Sequence, residues 1–130
     1  MQTSKKILIA EDEVHIRLLI EQSLEELEDE GVEILTAADG EAALALALAE
    51  RPDVVLLDVM MPRMDGFEVC RRLREDPENG PMRVIFLTAK GQEYDRARAD
   101  EVGADGYMTK PFDPDALLET VRSAIGRGDG

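Results

Sequence analysis

Pro52-Asp53-Val54-Val55-Leu56-Leu57-Asp58 sets four successive apolar residues between two carboxylates and then breaks into Met60-Met61-Pro62-Arg63-Met64-Asp65-Gly66. A strand that is apolar at every position is buried on both faces, as in a parallel sheet covered by helices. Asp58 therefore emerges at the C-terminal edge of such a strand, which is where open α/β sheets keep their chemistry. A plainer role is available too, because Asp favours turns and Pro62 with Asp65-Gly66 signals one.

The same alternation extends in both directions. Lys5 to Ala10 reads as a strand around Ile7-Leu8-Ile9-Ala10, followed by a helix from about Val14 to Glu28. Ile16, Ile20, Leu24 and Leu27 fall on one face of that helix, and Gly31 closes it. Val32 to Thr36 is a second strand, and Asp39-Gly40 opens an Ala/Leu-rich helix to about Glu50. After the strand Asp53 to Leu57, a helix from about Gly66 to Arg74 carries Phe67, Val69, Cys70 and Leu73. Arg83 to Thr88 is the fourth strand, about Gln92 to Val102 a weakly apolar fourth helix, and Tyr107 to Thr109 the fifth strand. The fifth helix, about Pro114 to Ile125, places Leu117, Leu118, Val121 and Ile125 on one side. Five strands alternating with five helices imply right-handed crossovers and an α/β, doubly wound parallel sheet of the flavodoxin-like strand order 2-1-3-4-5. The boundaries are one domain over 1–125 and a polar, Gly-rich flexible tail or linker stub over 126–130.

Composition narrows the function. The 130 residues suit one domain, and 29 acidic against 15 basic residues give a net charge of -14. Such a field opposes phosphate backbones and anionic membrane surfaces, so direct nucleic-acid or membrane binding is not expected. Part of the excess sits in Glu21 to Glu33, read as a solvated helix face. A single cysteine, Cys70, excludes an intramolecular disulfide and favours a reducing, cytoplasmic setting, with the thiol buried as a structural group. The polar start Met1 to Lys6 leads into only four apolar residues, too few for a signal peptide or a membrane span.

If all strands are parallel, their C-terminal ends meet on one rim. There stand Glu11, Asp12 and Glu13 after the first strand, Asp58 after the third, Thr88 at the end of the fourth and Lys110-Pro111 after the fifth. Glu11, Asp12 and Asp58 in one cleft repel one another unless a cation offsets them, and hard oxygen ligands with room for water and phosphate favour Mg2+. The first three carboxylates can instead cap the following helix. A carboxylate can also attack phosphorus to give an acyl phosphate. Phosphoryl transfer needs charge stabilisation on the moving oxygens, which Mg2+ and the Lys110 ammonium would supply while the Thr88 hydroxyl donates a hydrogen bond. Thr88 as a β-favouring strand end, Lys110 as an exposed charge and Tyr107 as a core aromatic are the structural alternatives.

With those residues in place the chain resembles a response regulator receiver domain, the phosphoacceptor module of two-component signalling. The likeness runs from Lys6-Ile7-Leu8-Ile9-Ala10-Glu11-Asp12-Glu13 through Asp39-Gly40-Glu41-Ala42, Pro52 to Gly66 and Leu87-Thr88-Ala89 to Gly103-Ala104-Asp105-Gly106-Tyr107 and Lys110-Pro111-Phe112. The resemblance implies that Asp58 is phosphorylated by a histidine kinase or histidine phosphotransfer protein. It implies that Asp12, Asp58 and the Met60 backbone carbonyl bind Mg2+, for which Mn2+ substitutes, with Glu11 acting through water. Thr88, Ala89, Lys110 and Tyr107 become the phosphoryl-binding and switch residues, and the Lys110–Pro111 bond is expected to be cis. The fourth helix, fifth strand and fifth helix form the surface that changes and that a downstream protein or fused output domain reads. Met60 and Lys90 flank the phosphoryl site.

One departure concerns assembly. In the winged-helix branch of that family, charged pairs on this surface support a symmetric dimer. Arg96 fits, but Gly106, Ala116 and Thr120 stand where charged partners belong, so a monomer is expected when unphosphorylated. Two other functions use similar parts. A haloacid dehalogenase-type phosphatase uses a strand-end Asp with Mg2+, but wants a second Asp where this chain has Met60. A flavodoxin-like electron carrier shares the fold, but Glu11-Asp12-Glu13 would repel the flavin phosphate.

Overall fold

The computed structural model describes residues 5–76, 82–89, 94–110 and 112–127. Lys90, Pro111 with its expected cis bond, and the last three residues of the tail lie outside them, as does the Arg96 side chain. The strands are β1 (Lys6–Ala10), β2 (Glu33–Ala37), β3 (Val54–Asp58), β4 (Arg83–Ala89) and β5 (Gly106–Lys110). Their order is β2-β1-β3-β4-β5, and every neighbouring pair is parallel, as the alternation of elements required. All five residues of β3 are buried, which is the outcome expected of an uninterrupted apolar run in the middle of a sheet.

Among the described residues six helices cover the two faces: α1 (Val14–Ser23), α2 (Glu25–Asp29), α3 (Gly40–Glu50), α4 (Gly66–Glu75), α5 (Tyr94–Glu101) and α6 (Pro114–Arg127). The single helix expected over Val14 to Glu28 is divided at Leu24. There the Leu24 N–H is shared between the Ile20 and Glu21 carbonyls, and the Leu24 carbonyl accepts from both Leu27 and Glu28. These three-residue bonds tighten one turn without turning the apolar stripe away from the sheet. Ile20, Leu24 and Leu27 remain buried across the break. Gly31, at φ 100, then closes α2, with the Val32 N–H returning to the Leu27 carbonyl at 3.0 Å. At the other end of the chain, α6 runs to Arg127, two residues past the boundary expected at Ile125.

Helix starts are marked by carboxylates. Asp39 accepts the Ala42 N–H at 2.8 Å to begin α3, and Asp65 accepts the Glu68 N–H at 2.9 Å to begin α4. Two cores result. Leu8, Val55, Leu57, Val84 and Phe86 face α3, α4 and α5, while Ile7, Ile9, Val54, Leu56, Ile85 and Leu87 face α1, α2 and α6. Cys70 belongs to the first core. It is fully buried with Sγ donating to the Val102 carbonyl at 3.3 Å, and burial pushes its thiol up to about 11, in keeping with an inert structural role. The acidic stretch after Glu21 is largely exposed, and Arg122 of α6 reaches across to Glu26 and Glu30. Among the described residues no helix is long and apolar enough to cross a membrane.

Candidate functional site

Parallel pairing sets the register that builds the site. Ala10 pairs with Leu57, Asp58 with Leu87, Thr88 with Thr109 and Ala89 with Lys110, so the ends of β1, β3, β4 and β5 arrive on one rim. Glu11 follows β1 directly. Its N–H donates to the Ala37 carbonyl at 3.1 Å, and the Arg17 guanidinium donates to the Glu11 carbonyl at 2.7 Å, fixing the backbone. Arg17 had no signal in the sequence beyond its position one turn into a helix.

Oxygen atoms of Glu11, Asp12 and Asp58 all lie within 4.8 Å of one another. Glu11 is fully buried, Asp58 is 5% exposed and Asp12 is partly exposed, so the cluster opens to solvent on the Asp12 side. Capping of α1 accounts for only part of this arrangement. Glu11 Oε2 accepts the Glu13 N–H at 3.1 Å, but Glu13, at the cap position itself, makes no side-chain cap bond. The Lys110 ammonium sits 2.9 Å from Glu11 Oε1 and 3.4 Å from Asp58 Oδ1. The first contact is a close buried ion pair and the second a longer one.

Among the described residues three carboxylates meet one ammonium, which leaves the cluster short of positive charge. Burial and the neighbouring Glu11 charge push the Asp58 carboxyl up to about 7, against the opposing pull of Lys110 and of the Met60 N–H. Burial acts to lower the Lys110 ammonium, but contact with Glu11 and Asp58 outweighs it and holds the group above its ordinary value. Hard oxygen donors and excess negative charge are the chemistry of a divalent-cation site, and Glu11, Asp12 and Asp58 fit that group.

The remaining expected residues lie on β4, on β5 and in the loop after β3. Thr88 is buried near the end of β4. Ala89 ends β4 beside Lys110. Met60 follows Asp58 in the loop, 64% exposed, with its N–H 3.4 Å from Asp58 Oδ1. Tyr107 stands back from the rim: it pairs with Phe86 in the body of the sheet and packs, half-buried, on the α3–α4–α5 side. Tyr107 is the second residue of β5 and stands three positions before Lys110, which is why it stops short.

Two glycines shape the loop after Asp58, and both stand in motifs already visible in the sequence. A Cβ on Gly66 would come within 2.4 Å of the Asp58 carbonyl oxygen, and one on Gly40 within 1.8 Å of the Met64 carbonyl oxygen.

Residues 7–122 match the response regulator receiver domain. The chain belongs to that family. It is 43% identical over 126 residues to the alkaline phosphatase synthesis transcriptional regulatory protein PhoP of Bacillus subtilis, covering 97% of this chain and 50% of that protein. It is 41% identical over 124 residues to the DNA-binding dual master transcriptional regulator RpaA of a Synechocystis strain, covering 95% of this chain and 50% of the relative. The chain thus spans about half the length of these curated relatives. Among solved structures, the receiver domain of AraT from Geobacillus stearothermophilus superposes with a TM-score of 0.87 at 34% identity, covering 98% of this chain and 97% of that one. The chemotaxis response regulator CheY4 of Vibrio cholerae gives 0.82 at 36% identity, covering 94% and 99%. Receiver domains of response regulators are signalling proteins, generally not turnover enzymes, and the family match gives no support to the phosphatase.

Proposed function

We propose that this chain is a phosphorylation-controlled switch whose phosphoacceptor is Asp58. The observation that carries the reading is the Lys110 ammonium bridging Asp58 and Glu11 at the mouth of a three-carboxylate cluster. Asp12, Asp58 and the Met60 carbonyl would hold Mg2+, with Glu11 reaching it through water and Mn2+ able to replace it. When bound, the cation supplies positive charge that neutralises the cluster and the phosphoryl oxygens.

The chain's own residues do the rest. An Asp58 carboxylate oxygen attacks the phosphorus of a phosphohistidine on a histidine kinase or phosphotransfer protein. The phosphorus–nitrogen bond breaks, and its electron pair stays with the donor imidazole. Lys110 leaves Glu11 and Asp58 to pair with the new phosphoryl group, Thr88 donates its hydroxyl to a phosphoryl oxygen, and the Ala89 backbone lines the same side. Phosphoryl loss by water attack is self-catalysed by the same residues, with no external substrate.

The readout surface is α5, β5 and α6, with Tyr107 following Thr88. Little holds α5 in place: Ala99 is its buried residue among those with described side chains, helped by Arg98 lying 4.3 Å over the Phe67 ring. Small burial makes a helix cheap to displace, so phosphorylation can bias a pre-existing equilibrium. The relatives' names make a transcriptional output the leading candidate, carried by a fused domain or a separate protein. The net charge of -14 means that DNA contact would belong to that partner and not to this domain. We place the unphosphorylated chain in the cytoplasm as a monomer.

The test is intact-mass analysis after incubation with acetyl phosphate and Mg2+. Wild type is expected to gain one acid-stable, base-labile phosphoryl group and Asp58→Asn none; equal labelling of the two would overturn the assignment.

A further inference from the structure

The loop that carries Met60 has fixed feet and a docked apex. At its start the Val59 N–H donates to the Leu87 carbonyl at 3.1 Å, and at its end the Gly66 N–H donates to the Val59 carbonyl at 2.8 Å. Between them Pro62 turns the chain. Its carbonyl accepts from Met64 at 2.8 Å and, at 3.4 Å, from Gly40 at the first turn of α3. The apex therefore rests on a helix that contributes nothing to the carboxylate cluster itself.

The fit there tolerates only hydrogen. A methyl group on buried Gly40 would stand 1.8 Å from the Met64 carbonyl oxygen and 2.7 Å from Met64 Cβ, where real contacts keep at least 3.0 Å. Gly40 is not in the left-handed region, so what demands glycine is close approach and not backbone conformation. Relief of that clash needs more than 1 Å of movement, the difference between 1.8 and 3.0 Å. Because the feet are held on β3 and β4, the movement falls on residues 60 to 64, and Met60 is bonded to Asp58 through its own N–H. The nearby Arg63 contacts, at 3.7 Å to Asp39 and 3.9 Å to Glu41 from a largely exposed side chain, are too long and too screened to replace this packing.

We propose that Gly40 is a positioning residue for the cation site: its missing side chain lets the apex seat on α3 and so places the Met60 carbonyl toward Asp12 and Asp58. The inference rests on the reading that these groups hold Mg2+. Groups that orient metal ligands without touching the metal typically change affinity by about 10–100-fold, and Gly40→Ala is expected to weaken Mg2+ binding within that range.

Isothermal titration with Mg2+ alone, together with urea denaturation in chelator, tests this on wild type, Gly40→Ala and Val121→Ala. The last truncates the core on the opposite face of the sheet and controls for general loss of stability. Support is a large loss of Mg2+ affinity in Gly40→Ala that Val121→Ala does not show. Wild-type binding with Gly40→Ala within about twofold of it overturns the inference alone. An equal loss in Val121→Ala does the same, and absence of wild-type binding overturns the metal reading beneath it. If Gly40→Ala does not fold, Met64→Gly loosens the apex from the other side and is expected to weaken Mg2+ by about threefold or more; unchanged affinity there overturns the inference.

Discussion

Replacing Asp58 with Asn is expected to stabilise the protein when no divalent cation is present. Asp58 is 5% exposed, sits beside the buried Glu11 carboxylate, and has its carboxyl pushed from 3.8 up to about 7, with the attraction of Lys110 already included. A tenfold change in proton affinity is worth about 1.4 kcal/mol, so the ionised side chain costs the folded state up to about 4 kcal/mol, and about 2–4 after local relaxation. The sign follows from which state holds the proton more tightly. The folded pKa is the higher one, so wild type has its full stability below about pH 4 and loses it as the pH rises toward 7. Asn has the shape of the carboxyl and cannot ionise. Urea denaturation followed by circular dichroism, in chelator, should therefore show Asp58→Asn more stable than wild type at pH 8 by about 2–4 kcal/mol and the gap closing toward pH 4. Adding Mg2+ should raise the wild-type midpoint and raise the variant's less, because a cation that binds the ionised cluster stabilises the state that binds it. A variant equal to or weaker than wild type at pH 8, with an unchanged denaturant slope, would show that the cluster is not electrostatically strained and would refute the reasoning.

Lys110→Ala removes the ammonium that faces Asp58 and Glu11, and the uncompensated buried carboxylates should lower metal-free stability by about 3 kcal/mol, read by denaturation. The same variant should still bind Mg2+ by calorimetry while the amide shifts of α5, β5 and α6 respond poorly to acetyl phosphate; loss of metal binding would mean that Lys110 organises the carboxylates instead. Arg74→Ala should cost about 1–3 kcal/mol, because the guanidinium donates to the Met82 carbonyl at 2.7 Å, twice to the Gly103 carbonyl, and to Asp105 at 2.7 Å. Hydrogen exchange should rise selectively between α5 and β5, and an unchanged exchange pattern would argue against that tie.

Much of the site is legible in the sequence because it lies at strand ends. Strands with continuous apolar runs announce themselves, and parallel alternation forces their C-terminal ends together, so Glu11, Asp12, Asp58, Thr88 and Lys110 could be gathered from residue type and order alone. Tyr107 could not be placed that way, since its level depends on where β5 starts. The break at Leu24 was hidden because the apolar stripe continues through it, and periodicity reports the buried face, not how each backbone N–H is shared.

Composition and apolar patterning were enough for a five-stranded parallel sheet in one acidic domain, and they named the residues of its rim. Both depend on local chemistry: which side chains avoid water, and at what period. Tertiary structure decided how far each of those residues is from water and from its neighbours. Glu11 is fully buried while Asp12 next to it is partly exposed, Lys110 bridges two carboxylates, and Gly40 holds a loop whose chemistry begins twenty residues after it. Those relations come from register and close packing between distant segments, and it is those distances that turn a set of acidic strand ends into a cleft with an unmet need for positive charge.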